Sequence, residues 1–333
     1  MRKDAYMFNI DLVVLIPTYN RKDQLKKTLD ALQNQTDSDF MIFISDNASN
    51  YSVKSLIDEF DECFRERITL ISRKRNVGCD ANILGLFELC DKGWAWTLAD
   101  DDYVRDDAVE IIKNSIKKYP EAGILDFFLH SNINVEEGEG VVLKDIDAFS
   151  DFYLENPQPN SLWHGDLIFW SNKVYNIEKI DKYIGYAHKY VYTRVPPVII
   201  GSYMLIDKIP FVIVNKRIVD VNTQEIVGGW DPFDVYMAQR TLRDVELPCN
   251  QKTKNKLLKV IAFDIRDILY VYFMDERGVN NNRFLSILYT DIYFDILDSK
   301  KRIAVAVLAK LSQRLWGYKF ARMLVRKYLD VKK

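Results

Sequence analysis

Cysteine and histidine are scarce in this chain of 333 residues, which has four of the first and three of the second. Cys63, Cys79, Cys90 and Cys249 include no CxxC pair, and His130, His164 and His188 are scattered. That spacing argues against a structural zinc site and against a disulfide framework, so a reducing cytosol is the expected compartment. There is no GxGxxG after a strand and no GxxxxGK[ST], which counts against a dinucleotide fold and a P-loop. No apolar run reaches the roughly 18 residues of a membrane span. The best stretch, Val195–Ile206, is too short and carries Pro196 and Pro197. Met1-Arg2-Lys3-Asp4 opens no apolar segment of signal-peptide length. Charge of one sign is lacking too. Charged residues make up 28% of the chain, yet the formal net charge is −2, which excludes whole-protein attraction to nucleic acid.

What is present is a large apolar fraction, 48%, enough for one large domain or two modest ones. Leu12–Ile16 is a continuous β-branched and leucine run that reads as a buried parallel strand, ended by Pro17-Thr18-Tyr19-Asn20. Asn20 is a suitable N-cap for a helix from Arg21 to about Asn34, with Leu25, Leu29 and Leu32 on one face. A second strand, Phe40–Ile44, runs into Ser45-Asp46-Asn47-Ala48-Ser49. A helix from about Val53 to Phe64 and a strand at Ile68–Ile71 follow. Arg73–Asn82 is a polar loop that leads into a helix through Leu89. Trp94–Ala99 is another buried strand. Such alternation implies a parallel sheet with crossover helices, whose ligands bind beyond the carboxyl ends of the strands. Beyond Gly123 the periodicity is weaker. Leu162–Trp170 and Val212–Val221 read as strands, Asp231-Pro232 opens a helix to about Leu242, and the text from Asn255 onward is almost wholly helical.

Asp100-Asp101-Asp102 emerges from the end of the uncharged Trp94–Ala99 run. Adjacent carboxylates repel, and a cation between them removes that cost. Hard oxygen ligands suit Mg²⁺ or Mn²⁺ alongside substrate phosphates. A solvated acidic turn is the plain alternative. The polar clusters Thr18–Asn20, Asp46–Asn47 and Arg75–Asn76 end their strands at the same edge, which favours a metal–phosphate site. With no Gly-rich loop, phosphate is left to the metal and to Arg73 or Arg75.

With these residues placed, the chain resembles the inverting family 2 glycosyltransferases of the GT-A fold, in particular bacterial enzymes of O-antigen and capsule synthesis, abequosyltransferase-like. The matching text is Val13–Arg21, Ser45-Asp46-Asn47-Ala48-Ser49, Arg75-Asn76-Val77-Gly78 with Asn82, and Asp100-Asp101-Asp102 for the family's DxD. The resemblance implies an α/β, Rossmann-like, nucleotide-sugar-binding domain with a mixed, mostly parallel sheet over residues 1–230, and a helical C-terminal extension over 231–333. It implies that Pro17 and Tyr19 lie against the base or ribose, that Asp46 accepts a hydrogen bond from the base, and that Arg75, Asn76 and Gly78 border the donor pocket. Asp100 approaches the ribose or sugar and, with Asp102, the Mn²⁺ or Mg²⁺ ion. Thr18, Asn20 and Asp101 complete the donor set.

The family's usual Glu-Asp pair, whose Asp is the general base, is missing. Gly185-Tyr186-Ala187-His188 stands at that distance, so His188 takes the place of the carboxylate, with Asp231, Asp181 and Asp166 as rivals. The implied partners are a nucleotide-diphosphate sugar and a saccharide acceptor, in the resembled enzymes a polyprenyl-diphosphate-linked one. Trp163-His164-Gly165 could shelve a sugar or simply be core, and Asn132–Gly140 reads as a solvated loop. From Lys300 to Lys333, eleven basic residues face Asp330 alone, and Leu308, Leu311, Leu315 and Tyr318 recur at helical spacing. Such a helix suits an anionic membrane surface, making the protein peripheral on the inner face of the cell membrane. Packing on the catalytic domain or on a second subunit in an oligomer is the alternative. A nucleotidyltransferase and a catalytically inactive carbohydrate-binding scaffold are the rival functions.

Overall fold

The structure is a computed structural model and describes residues 12–127, 135–156, 165–220 and 240–261, with isolated positions 238, 320, 323, 324 and 327. Asp231, Trp163, His164, the helix expected from Asp231 and the basic tail other than those isolated positions lie outside the described residues. The chain divides into two compact units. The first comprises Met1–Phe149, Ile168–Val191 and Pro196–Val227; the second comprises Ser150–Leu167, Tyr192–Val195 and Gly228–Lys333.

The elements in chain order are β1 (Leu12–Thr18), α1 (Lys22–Gln33), β2 (Met41–Asp46), α2 (Val53–Ile57), α3 (Glu62–Arg65), β3 (Ile68–Ser72) and α4 (Cys79–Phe87). Then come β4 (Trp94–Thr97), β5 (Tyr103–Val104), α5 (Ala108–Lys118), β6 (Ile124–Phe127), β7 (Gly140–Leu143), α6 (Ile146–Glu155) and α7 (Gly165–Ile168). The last are β8 (Lys173–Asn176), α8 (Ile177–Lys189), α9 (Pro196–Ile206), β9 (Phe211–Val214), β10 (Val219–Asp220) and α10 (Gln251–Ile261).

An eight-stranded sheet in the order β3-β2-β1-β4-β8-β6-β9-β7 forms the frame. β1 pairs in parallel with β2 and β4, β2 with β3, and β6 with β9; β8 is antiparallel to both β4 and β6. The chain steps outward from β1 to β3 and then returns to place β4 on the other side of β1. That reversal is a topological switch point, which opens a crevice beyond the carboxyl ends of β1 and β4. β1 is apolar on both faces because helices cover both, and Val14, Leu15 and Ile16 are fully buried. The stripe of α1 meets the sheet as its spacing predicts, with Leu25, Leu29 and Leu32 inaccessible to solvent.

Several expectations need correction. Asn20 does not cap α1. Its backbone sits in the left-handed region, φ 56°, and Arg21 occupies the N-cap position without a side-chain cap bond. The segment 53–64 is two short helices, because Asp61 turns its side chain to the Phe64 N–H and starts the second. Leu162–Trp170 is not a strand where it is described: Gly165–Ile168 is one helical turn, and the strand is Lys173–Asn176. The apolar run at Val195–Ile206 is α9, which takes proline in its first turn and is buried from Pro196 to Leu205. Among the described residues no helix is long and apolar enough to cross a membrane.

Candidate functional site

Four carboxyl ends of the sheet build the site. Leu98 N–H still donates to Leu15 C=O at 2.9 Å, so β4 stays in register with β1 almost to its acidic end. Asp100 then folds back against β1 and α1. Its Oδ2 accepts from Thr18 Oγ1 at 2.7 Å, its Oδ1 from Arg21 Nη1 at 3.1 Å, and its carbonyl from Thr28 Oγ1 at 3.1 Å. Arg21 Nη1 also reaches Asp101 Oδ2 at 2.5 Å. Asp102 Oδ2 accepts from Ser171 Oγ at 2.5 Å, on the segment just before β8. Asp100 and Asp102 are only 4% and 7% exposed.

Burial beside like charges makes ionisation costly here. Asp100 is pushed up to about 6, chiefly by burial, against the pull of Arg21 and Thr18. Asp102 is pushed up to about 7, again chiefly by burial; the Ser171 hydrogen bond opposes this, while Asp101 and Asp100 add to it. A solvated acidic turn would carry neither the burial nor the cost. Two buried carboxyls, Asp100 braced by Arg21 and Asp102 by Ser171, suit a hard divalent cation that brings phosphate oxygens with it. Among the described residues no group of three or more His, Cys, Asp or Glu side chains is arranged to hold an ion alone.

The second wall comes from β2, β3 and the start of α4. Asn47 N–H donates to Thr18 C=O at 2.9 Å, tying the two strand ends together. Asp46 Oδ1 accepts the Ser49 N–H at 2.8 Å, closing a turn in which Ala48 adopts φ 66°. Asn20 uses its side chain here, accepting the Asn50 N–H at 2.8 Å. Asn47 Nδ2 donates to Asn76 Oδ1 at 2.8 Å, and Asn47 Oδ1 accepts the Val77 N–H at 2.9 Å, so one buried side chain fixes the loop before α4. Gly78 has φ 89°, a conformation strained for any other residue, and leaves open space where a Cβ would sit. Behind this loop Arg73 Nε donates to Asn82 Oδ1 at 2.6 Å, and Asn82 Nδ2 donates to Ser45 C=O at 3.0 Å.

The structure thus brings together Thr18, Asp46, Asn76, Gly78, Asp100, Asp101 and Asp102, with Pro17 in β1 and Tyr19 exposed at 43% on the rim. Arg75 is exposed in the same loop as Asn76. His188 is not among the residues gathered at these strand ends. It lies in α8, with Nε2 3.3 Å from Glu88 Oε1 but without hydrogen-bond geometry. Glu88 is the C-cap of α4, and Gly78 at the other end of that helix accepts from Asn47 Nδ2. Asp181 lies exposed on the same helix α8. Arg21 closes the first motif, but its part as counter-charge was not read from it; residues outside the motifs include Thr28, Ser171, and Tyr51, whose phenol is pushed up by burial first and by Asp100 and Asp46 as well. Thr28 was legible as a polar interruption of the α1 stripe; Ser171 had no local signal.

Residues 13–181 match the family profile of glycosyl transferase family 2. The chain belongs to this family. This family 2 protein is 30% identical to the abequosyltransferase RfbV of Salmonella typhimurium over 113 residues, 33% of this chain. The match spans about a third of that relative's length, 34%. Among solved structures it resembles S. aureus TarS 1-349 in complex with UDP-GlcNAc, with a TM-score of 0.58 at 11% identity over 96% of this chain and 91% of that one. The same protein in complex with UDP gives 0.55 at 12% identity, over 96% and 92% of the two chains. At that identity the likeness establishes the GT-A fold.

Proposed function

We propose that this protein is a metal-dependent inverting glycosyltransferase that moves a sugar from a nucleotide-diphosphate donor to a hydroxyl of a saccharide acceptor. The observation that carries the reading is the buried carboxyl pair Asp100 and Asp102 at the switch point, braced from β1, α1 and the segment before β8. Asp102, with Asp100 beside it, would hold Mn²⁺ or Mg²⁺. When bound, the ion supplies charge neutralisation to the departing diphosphate. Asp46 and the Asn47–Asn76–Gly78 loop receive the base. Pro17 and Tyr19 flank base or ribose, and Arg75 borders the pocket from solvent. Arg21 bonds both Asp100 and Asp101 and opposes the upward shift of Asp100, which favours the meeting of that carboxyl with a cation. We assign the acceptor's proton to Asp231, with His188 as the alternative base. The first unit carries donor binding. The acceptor is a lipid-linked saccharide of surface-polysaccharide synthesis, a reading supported by the partial match to an abequosyltransferase. The basic C-terminal segment holds the protein at the inner face of the membrane. It should co-sediment with anionic vesicles at low salt and release at high salt or on truncation from Lys300. Salt-insensitive binding, or none, removes that role.

The test of the function is a thermal-shift screen of UDP, dTDP, GDP and CDP and their sugars with and without Mn²⁺, since a ligand that binds only the folded state raises apparent stability. One nucleotide should stabilise strongly, and more so with Mn²⁺. If no nucleotide shifts the transition, the donor site is wrong.

A further inference from the structure

Ser171 is wholly buried, lies outside every motif, and hydrogen-bonds Asp102 in the site. We propose that Ser171 is a positioning residue for the metal-binding carboxylate: it occupies Asp102 Oδ2 and leaves Oδ1 to the cation. The inference rests on the reading that Asp102 meets a metal.

Ser171 is the donor in this hydrogen bond. Ala99 N–H donates to Ser171 Oγ at 2.8 Å, so the hydroxyl already accepts on that side. A hydroxyl has one proton to give, and the carboxylate oxygen at 2.5 Å receives it. A short O–H···O⁻ bond is of the stronger, charge-assisted kind. It favours the ionised carboxylate that a cation needs. Asp100 stands differently, with both of its oxygens engaged, by Thr18 and by Arg21.

The segment that carries Ser171 is rigid for reasons distant in sequence. Trp96 Nε1 donates to the Ser171 carbonyl at 2.8 Å, and Thr97 Oγ1 to the Trp170 carbonyl at 2.7 Å, so β4 grips the same segment whose hydroxyl grips the residue beyond β4. On the far side Lys173, 1% exposed, donates to the Phe169 carbonyl at 2.9 Å and stands 3.3 Å from the fully buried Asp126. Asn172 Nδ2 reaches Asp126 Oδ1 at 2.5 Å. This solvent-free lysine–aspartate pair lies two residues from Ser171 and helps hold the segment in place. Partners that orient a metal ligand typically change metal affinity by about 10–100-fold when removed.

The test follows free Mn²⁺ by its electron paramagnetic resonance signal during titration of the full chain, with Mn²⁺ alone and with Mn²⁺ plus inorganic pyrophosphate. Thermal unfolding in chelator reports the fold separately. Ser171→Ala should weaken Mn²⁺ binding by about 10–100-fold, Ser171→Thr should stay close to the unaltered protein, and Asp102→Asn should lose the site. A purely structural serine would lower the unfolding midpoint and leave Mn²⁺ affinity unchanged, which overturns the proposal. Should Ser171→Ala fail to fold, Ser171→Cys, a weak donor of similar shape, takes its place. If Asp102→Asn binds Mn²⁺ like the unaltered protein, or the unaltered protein binds none, the metal reading falls and this one with it. If Asp102→Asn loses the site while Ser171→Ala does not, the proposal alone falls.

Discussion

Removing one charge from the aspartate cluster should stabilise the metal-free protein. Asp102 has an ordinary carboxyl value of 3.8 and is held at about 7 in the fold, mainly by burial. A displacement of that size disfavours the ionised form by about 4 kcal/mol. The sign follows from proton counts. Between those two values the folded state binds the proton and the unfolded chain does not, so stability falls as pH rises, and the full cost is present above about 7. Asp102→Asn removes the charge while its amide oxygen can still accept from Ser171. Exchanging one carboxylate acceptor for an amide donor returns about 1–3 kcal/mol of that gain. The net expectation in chelator at pH 8 is about 2 kcal/mol, or a rise in Tm of about 4–8 °C. At pH 5 the gain should fall to less than half, because the unaltered carboxyl is then largely protonated in the fold. Differential scanning fluorimetry in chelator at both pH values measures this. Mn²⁺ should then raise the midpoint of the unaltered protein and not that of the variant. A variant less stable than the unaltered protein at pH 8, or a gain independent of pH, refutes the electrostatic account of the site.

The other expectations are more local. His188→Ala should leave turnover within a few-fold, whereas Asp231→Asn should lower it by about 10²–10⁴; steady-state kinetics with the donor found by the screen decides, and the reverse pattern reinstates the histidine. Gly85→Ala should improve helix propensity by about 1 kcal/mol. Its new methyl group would collide with the Arg73 guanidinium, so that side chain must leave Asn82, and nucleotide affinity should fall while stability changes little; unchanged affinity would mean that the Arg73–Asn82 bond is irrelevant to the pocket. Lys173→Met leaves Asp126 as an uncompensated buried charge and should cost about 3–5 kcal/mol, while Lys173→Met with Asp126→Leu should recover much of it in chemical denaturation. A double variant as unstable as the single one would argue against the pair.

The first half of the chain could be read because its information is local. Leu25, Leu29 and Leu32 announce a buried face by spacing alone, and all three are inaccessible. Thr18, Asp46 and Asp100 lie at or just beyond strand ends, and a parallel sheet necessarily gathers such ends at one edge. Asn20 misled because an asparagine before a helical pattern is a cap by propensity. Here the left-handed backbone at Asn20 turns its side chain to Asn50, a contact made across 30 residues. The second half could not be read the same way. β8 has four residues and lies between two antiparallel neighbours, and the polar run Ser171-Asn172-Lys173 before and into it is buried. Polarity normally signals a loop; this run is interior because Asp126, Asp102 and the Phe169 carbonyl satisfy it.

His188 follows from the same distinction. Counting residues from the aspartates to the missing Glu-Asp pair assumes that the intervening chain takes the family's course. In this protein β8 runs antiparallel to β4 and ends opposite Trp94, at the edge away from the aspartates. The chain therefore enters α8 on the wrong side of the sheet, where Ile177 N–H meets the Gly93 carbonyl. A helix begun there and packed on α4 carries His188 to Glu88 rather than to the crevice. Sequence distance to a motif locates a residue only when the strand direction between them is known. Here that direction is antiparallel to both β4 and β6, and it shows only in the pairing of the folded sheet.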